Sequence, residues 1–150
     1  MPTLILKTRI NAPIEKCFDL SRSLDLHTES MKSNKEKIVG GKLTGLIDIG
    51  EQVTWQARHF GLSFKMTNKI TAIKKPFYFV DEMLNGPFKL LHHQHHFTAA
   101  GASTAMTDIF AFQSPMGLIG RAVDSLFLKR YLRKLLTIRN EAIKLTAELP

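Results

Sequence analysis

The residues best suited to chemistry crowd into one stretch of this chain, FVDEMLNGPFKLLHHQHHF at 79–97. His93 and His95 stand two apart in line with Leu91 and Phe97, and side chains two apart share one face of a strand. Two imidazoles among apolar neighbours suggest a lined cavity with a few orienting polar groups. His92 and His96 fall on the opposite, wetter face.

Turn pairing adds a carboxylate. With Ala100-Gly101 as the turn after this strand, His95 is expected opposite Met106, His93 opposite Asp108, and Leu91 opposite Phe110. A carboxylate beside an imidazole fixes its tautomer and raises its proton affinity. The pair then either meets a ligand, transfers a proton, or is a buried pair that satisfies itself.

A guanidinium joins them from the C-terminal segment. Arg139 lies at the helical angle of Leu128, Leu132 and Leu135, and without a partner there it would cost several kcal/mol. Asp108, Asp81 and Glu82 are candidate partners, and bending out to solvent is the alternative. Which of Asp81 and Glu82 points inward depends on whether the loop at Asn85-Gly86 has an odd or even residue count.

These groups need a sheet and a helix to position them. Residues 4–10 alternate as a strand. Asn11 is expected to cap a helix with Pro13 in its first turn, and LDLHTES at 24–30 makes a second short helix, with His27 on its surface. Four glycines between 40 and 50 mark turns before a region of strands. Val53, Trp55, Ala57 and His59 share one face, and a Phe60-Gly61 turn sets His59 against Leu62, Ala57 against Phe64 and Trp55 against Met66. Strands follow at 77–84, 88–98 and 104–113, with Met106, Asp108, Phe110 and Phe112 on one face of the last. From Met116 to Glu148 the pattern is that of one long helix whose apolar residues span more than half its circumference. That breadth fits a helix gripped by a curved sheet, with room left for a ligand.

Composition narrows the class. A chain of 150 residues fits one domain, 1–150, and at that length about 70% of the unfolded surface is buried. The lone Cys17 has no internal partner and reads as a packed apolar residue in a reducing compartment. With no leader pattern and no apolar run of about 20 residues, the expectation is a cytoplasmic protein that does not insert into membranes. The formal charge of +8 is concentrated in Lys129, Arg130, Arg133, Lys134, Arg139 and Lys144. A solvated helix face is the leading account, and association with an acidic surface is the other. No zinc-finger spacing or Gly-Lys phosphate loop points to nucleic acid.

The order of elements resembles the helix-grip fold of the START-like (SRPBCC) superfamily across the whole chain. More narrowly, GEQVTWQARHFG at 50–61, FVDEMLNGPF at 79–88, HHQHHF at 92–97 and MTDIFAFQSPMGLIG at 106–120 resemble a bacterial polyketide cyclase/dehydrase-like subfamily. Some members of that group are called cell division inhibitors. Its strand pattern W-x-H-x-H-x-F is met by Leu91, His93, His95 and Phe97, with leucine in the aromatic's place.

The resemblance implies an α+β fold, a curved antiparallel sheet of about seven strands around a long C-terminal helix, with two short helices after the first strand. It also implies an apolar small-molecule ligand, lipid or polyketide-like, in a cavity between sheet and helix. The expected lining is Trp55, His59, Phe64, Met66, Phe79, His93, His95, Asp108, Phe110, Phe112, Tyr131 and Arg139, with Phe127 and Leu135 completing the wall. The alternative is a cyclase or dehydratase in which His93, supported by Asp108, moves a proton. His93, His95 and Asp108 also form a two-histidine, one-carboxylate set of the kind that holds iron. Because the superfamily mostly binds organic ligands, the expectation is a site with no metal and no cofactor.

Overall fold

The computed structural model describes residues 2–123 and 127–150. Strand β1 (Thr3–Ile10) leads into helices α1 (Ile14–Ser21) and α2 (Leu24–Ser30). Strands β2 (Lys37–Gly41), β3 (Gln52–His59), β4 (Leu62–Lys74), β5 (Tyr78–Asn85), β6 (Leu90–Ala100) and β7 (Ser103–Gln113) follow, then helices α3 (Gly117–Val123) and α4 (Lys129–Ala147). The strands form one antiparallel sheet in the order β1-β7-β6-β5-β4-β3-β2. It curves around α4 in the helix-grip arrangement. The helix expected from Met116 is described on either side of residues 124–126 as α3 and α4, and those three residues lie outside the described ones.

Alternation in sequence becomes alternation in burial. Along β6, Leu91, His93, His95 and Phe97 are buried while their neighbours are more open, and along β7 the same holds for Met106, Asp108, Phe110 and Phe112. One face meets the helices and the other meets solvent, as in a sheet covered on one side.

The two hairpin registers expected from the turns differ in outcome. The β3–β4 hairpin pairs His59 with Leu62, Ala57 with Phe64 and Trp55 with Met66, as expected. In the β6–β7 hairpin the turn residues are Gly101-Ala102, so Ala100 pairs with Ser103. Every partner is therefore displaced by two: His95 faces Asp108, His93 faces Phe110 and Leu91 faces Phe112. A shift of two keeps each side chain on its face, so the inward set is unchanged.

Asn11 does not cap α1. Extended Pro13 occupies that position, and Asn11 donates its backbone N–H to Glu148 Oε2 at 2.8 Å, tying the start of α1 to the end of α4. Ser23 caps α2, accepting from the Leu26 N–H at 3.1 Å.

Register shifts bend the sheet at β2–β3 and twice at β4–β5, since each bulge adds local twist. Beside the first, Gly41 has φ +70°, and a Cβ there would lie 2.3 Å from the Gln52 carbonyl oxygen. Gly41→Ala is expected to lower unfolding free energy by about 1–3 kcal/mol, the usual range for a residue held in a disfavoured conformation. Urea denaturation would show it, and an unchanged midpoint would count against the crowding.

The core has two apolar parts with a polar layer between them. One holds Ile10, Phe18, Phe79, Phe97, Met106 and Ile143; the other holds Leu4, Leu91, Phe110, Phe112 and Leu136, with Leu6 and Met83 against it. Five elements step from one to the other through a polar residue: β1 at Thr8, β5 at Asp81, β6 at His93 and His95, β7 at Asp108, and α4 at Arg139 and Asn140. The candidate site is thus one stratum of the interior rather than a surface feature.

Candidate functional site

Asp108 is the centre of this layer. Its side chain is fully buried, and on Oδ1 it accepts a hydrogen bond from His93 Nε2 at 2.8 Å. His95 Nδ1 and Arg139 Nη1 approach the same oxygen at 3.3 and 3.5 Å, and Asn140 Nδ2 donates to Oδ2 at 2.7 Å. Asp81 is the second carboxylate, accepting from His95 Nε2 at 2.6 Å and from Asn68 at 3.4 Å. A carboxylate only accepts, so His93 and His95 each present a protonated Nε2 to it.

The parity left open by the sequence is settled by the β5–β6 pairing. Asp81 sits opposite His93 and Glu82 opposite His92, because the span 83–91 between the last paired residues is odd. Asp81 points inward, and Glu82 faces His92 on the outer side at 3.9 Å.

Arg139 is buried, not bent outward. It donates to Asn140 Oδ1 at 3.0 Å, to the Ser21 carbonyl at 3.3 Å and toward His95 Nδ1 at 3.3 Å. Ser21 ends α1, so its carbonyl is one of those a helix leaves without an internal partner. A cation, a helix terminus and a carboxylate thus meet at one place.

Ring stacking fixes the imidazoles. Phe79 stacks on His95 with centroids 4.0 Å apart, His95 on His93 at 3.7 Å, and His93 meets the edge of Phe110 at 5.0 Å. Burial, reinforced by the neighbouring His95, pushes His93 down to about 4 despite the opposing pull of Asp108 and Asp81. Burial would raise both carboxyls, yet the hydrogen bonds from the histidines and the charge of Arg139 hold Asp81 and Asp108 below the usual carboxylate range. At neutral pH the layer therefore contains two carboxylates, a guanidinium and a neutral His93.

The layer opens onto a cavity of about 410 Å³ between the sheet and α2 and α4. Trp55, His59, Phe64, Met66, Phe79, His93, His95, Phe110, Tyr131 and Arg139 all line it, and so does Leu135. Asp108 and Phe112 do not: Asp108 lies behind the histidines, and Phe112 is buried against Phe88 and Phe110. Phe127 precedes α4, is exposed, and packs on Phe60 of the β3–β4 turn with centroids 5.3 Å apart.

His27, in the cavity wall, and Asn140, buried outside it, escape a reading of periodicity. His27, expected on the surface, hydrogen-bonds Glu36 at 2.9 Å and lies 4.4 Å from Trp55, ring to ring. His59 Nδ1 and the Tyr131 hydroxyl are 2.7 Å apart, and burial lowers the His59 pKa. Asn140 is buried although its helical angle falls among charged residues, since α4 packs on β1 and α1 as well as facing the cavity. Asp81, His93 and His95 each bring a donor atom within 4.8 Å of the other two, a grouping that could hold a metal ion, with Asp81 in the place expected for Asp108.

No family model and no curated protein sequence matches the chain. Solved structures resemble it over nearly its full length. A protein from Thermus thermophilus, TTHA0849, superposes with a TM-score of 0.74 at 16% identity, covering 99% of this chain and 100% of that one. The major latex-like protein 151 of Panax ginseng gives 0.71 at 15% identity, covering 99% and 98%. A START superfamily protein from Mycobacterium smegmatis gives 0.72 at 12% identity, covering 97% of each. The fold is START-like, the SRPBCC helix-grip. Identities this low carry architecture alone, since one fold hosts unrelated activities. Among the described residues no helix is long and apolar enough to cross a membrane.

Proposed function

We propose that this protein binds an apolar small molecule of the lipid or polyketide-like class in the cavity beneath α4. The observation that carries this reading is the cavity itself: about 410 Å³, within the 300–1,000 Å³ usual for small-molecule sites. Its wall is largely aromatic and aliphatic, with Asp81, His93, His95 and Arg139 gathered at one part of it. The apolar body of the ligand lies against Trp55, Phe64, Met66, Leu132 and Leu136. Its polar end meets the histidines and Arg139, which are held by partners of their own and need no reordering to receive it.

The cyclase or dehydratase reading is weaker on this geometry. His93 and Asp108 do form a pair, but the bonded Nε2 is directed away from the cavity toward a buried carboxylate. A base pushed down to about 4 is also poorly matched to proton abstraction near neutral pH.

Leu132→Trp tests the binding reading, because Leu132 lines the cavity from α4. The larger ring should occupy the space and weaken binding of the fluorophore anilinonaphthalene sulfonate by tenfold or more, with little change in the thermal midpoint. Equal binding by both proteins would place the probe elsewhere and remove this support. Solvent extraction of freshly purified protein, followed by mass spectrometry, should release an apolar compound.

A further inference from the structure

We propose that Asp81, His93 and His95 bind one divalent transition-metal ion at the cavity wall, with Asp108 orienting both histidines from behind. One candidate donor atom from each of the three residues lies within 4.8 Å of the other two. His93 Nδ1 is 3.8 Å and His95 Nε2 2.6 Å from Asp81 Oδ2. An ion about 2.0–2.2 Å from each donor sets those donors roughly 3 Å apart. The two Asp81 contacts then close and open by about half an ångström each as its carboxylate rotates, and the two imidazole nitrogens, within 4.8 Å of each other, draw together by rotation of their rings.

The outer contacts match what such an ion needs. A histidine ligand characteristically donates its far N–H to a carboxylate or carbonyl, which fixes its tautomer. His93 already does so, Nε2 to Asp108 Oδ1 at 2.8 Å. His95 Nδ1 lies 3.3 Å from that same oxygen, so on giving Nε2 to the ion it can donate there in place of accepting from Arg139. Asn140 holds the other oxygen of Asp108 at 2.7 Å, and Asn68 approaches the other oxygen of Asp81 at 3.4 Å. Each ligand thus has a partner on the side away from the ion.

A separate observation points to a cation. With its proton on Nε2, His93 turns the lone pair of Nδ1 toward a carboxylate oxygen, two acceptors facing each other at 3.8 Å beside the cavity. A divalent ion between Nδ1 and Oδ2 removes this conflict. Two imidazoles and a carboxylate suit zinc, iron(II) or cobalt(II), and the remaining coordination positions open to the cavity, where water or a ligand oxygen can bind. This goes beyond the binding of an apolar molecule and does not depend on it.

The test uses tag-free full-length protein stripped with a chelator and titrated with cobalt(II), read by visible absorption and elemental analysis. One ion per chain is expected, with affinity reduced about 100-fold or more in Asp81→Asn and His93→Gln, as removal of a ligand should exceed the usual 10–100-fold loss for an outer partner. His92→Gln and His96→Gln, altered on the outer face, should bind like the wild type. Absence of saturable binding, equal binding by Asp81→Asn, or loss of binding in the outer-face variants would overturn the site. Circular dichroism checks that each variant folds. If the inner variants do not fold, ring-proton NMR of the wild type decides: cobalt should shift the His93 and His95 resonances, and shifts confined to His92 and His96 would reject the proposal. Fluorophore binding by stripped protein keeps this outcome separate from that of the cavity.

Discussion

Asp108→Ala is expected to lower the unfolding free energy by about 3–5 kcal/mol, the cost of breaking a buried ion pair by removing one partner. Its carboxylate accepts from His93 and Asn140 and lies 3.5 Å from Arg139 Nη1. Without it, His93 Nε2 loses its acceptor, Asn140 Nδ2 keeps only Thr8 Oγ1 at 3.3 Å, and a buried guanidinium loses one of two nearby negative charges. Asp108→Asn keeps the shape and one acceptor but not the charge, so its loss should be smaller. Removing the cation too, in Asp108→Ala with Arg139→Met, should recover part of the deficit because both sides of the pair are then gone. Urea denaturation of the wild type, Asp108→Ala, Arg139→Met and the double variant gives the coupling directly. A loss below about 1 kcal/mol for Asp108→Ala would mean that solvent reaches the layer and replaces the carboxylate.

The same residue shows how far the sequence can be read. Alternation along β6 and β7 assigns Asp108, His93 and His95 to one face without knowledge of the turn, because period two survives a register shift of two. Exchanging Ala100-Gly101 for Gly101-Ala102 as the turn moves every cross-strand partner but no side chain to the other face. Asp81 is harder, since its inward orientation depends on the parity of the irregular span 83–91. Asn140 cannot be found from helical angle at all. Its angle lies in the charged arc, yet its amide reaches Thr8 of β1 and Asp108 of β7, because the buried arc of α4 extends past its apolar residues to meet those strands. Phe127 illustrates the opposite error, because an apolar residue at the right angle stays exposed where it precedes α4 and packs on the Phe60 turn. Periodicity therefore reports which face a residue occupies, but not where along the element the covering layer ends.

Acid is expected to destabilise the fold before Asp81 and Asp108 begin to titrate. His93 has an ordinary pKa of 6.5, which burial and the adjacent His95 push down to about 4 in the folded protein. Between those values the unfolded chain binds a proton that the folded chain refuses, so stability must fall as pH decreases from 6.5 toward 4. At 1.36 kcal/mol per pH unit, the interval corresponds to about 3 kcal/mol, fully retained above pH 6.5. His59, also lowered by burial, adds a smaller change of the same sign. Asp81 and Asp108 act further down: their contribution is present above the ordinary carboxylate value of 3.8 and is lost as pH falls through their lower folded values. Urea midpoints of chelator-treated protein from pH 7.5 to 4 should therefore descend well before pH 4, and His93→Gln should flatten most of that descent while leaving the slope due to His59. Equal slopes in wild type and His93→Gln would show that His93 charges freely in the folded state. The buried layer would then be open to water, and its value as a preorganised contact for a ligand's polar end would fall with it.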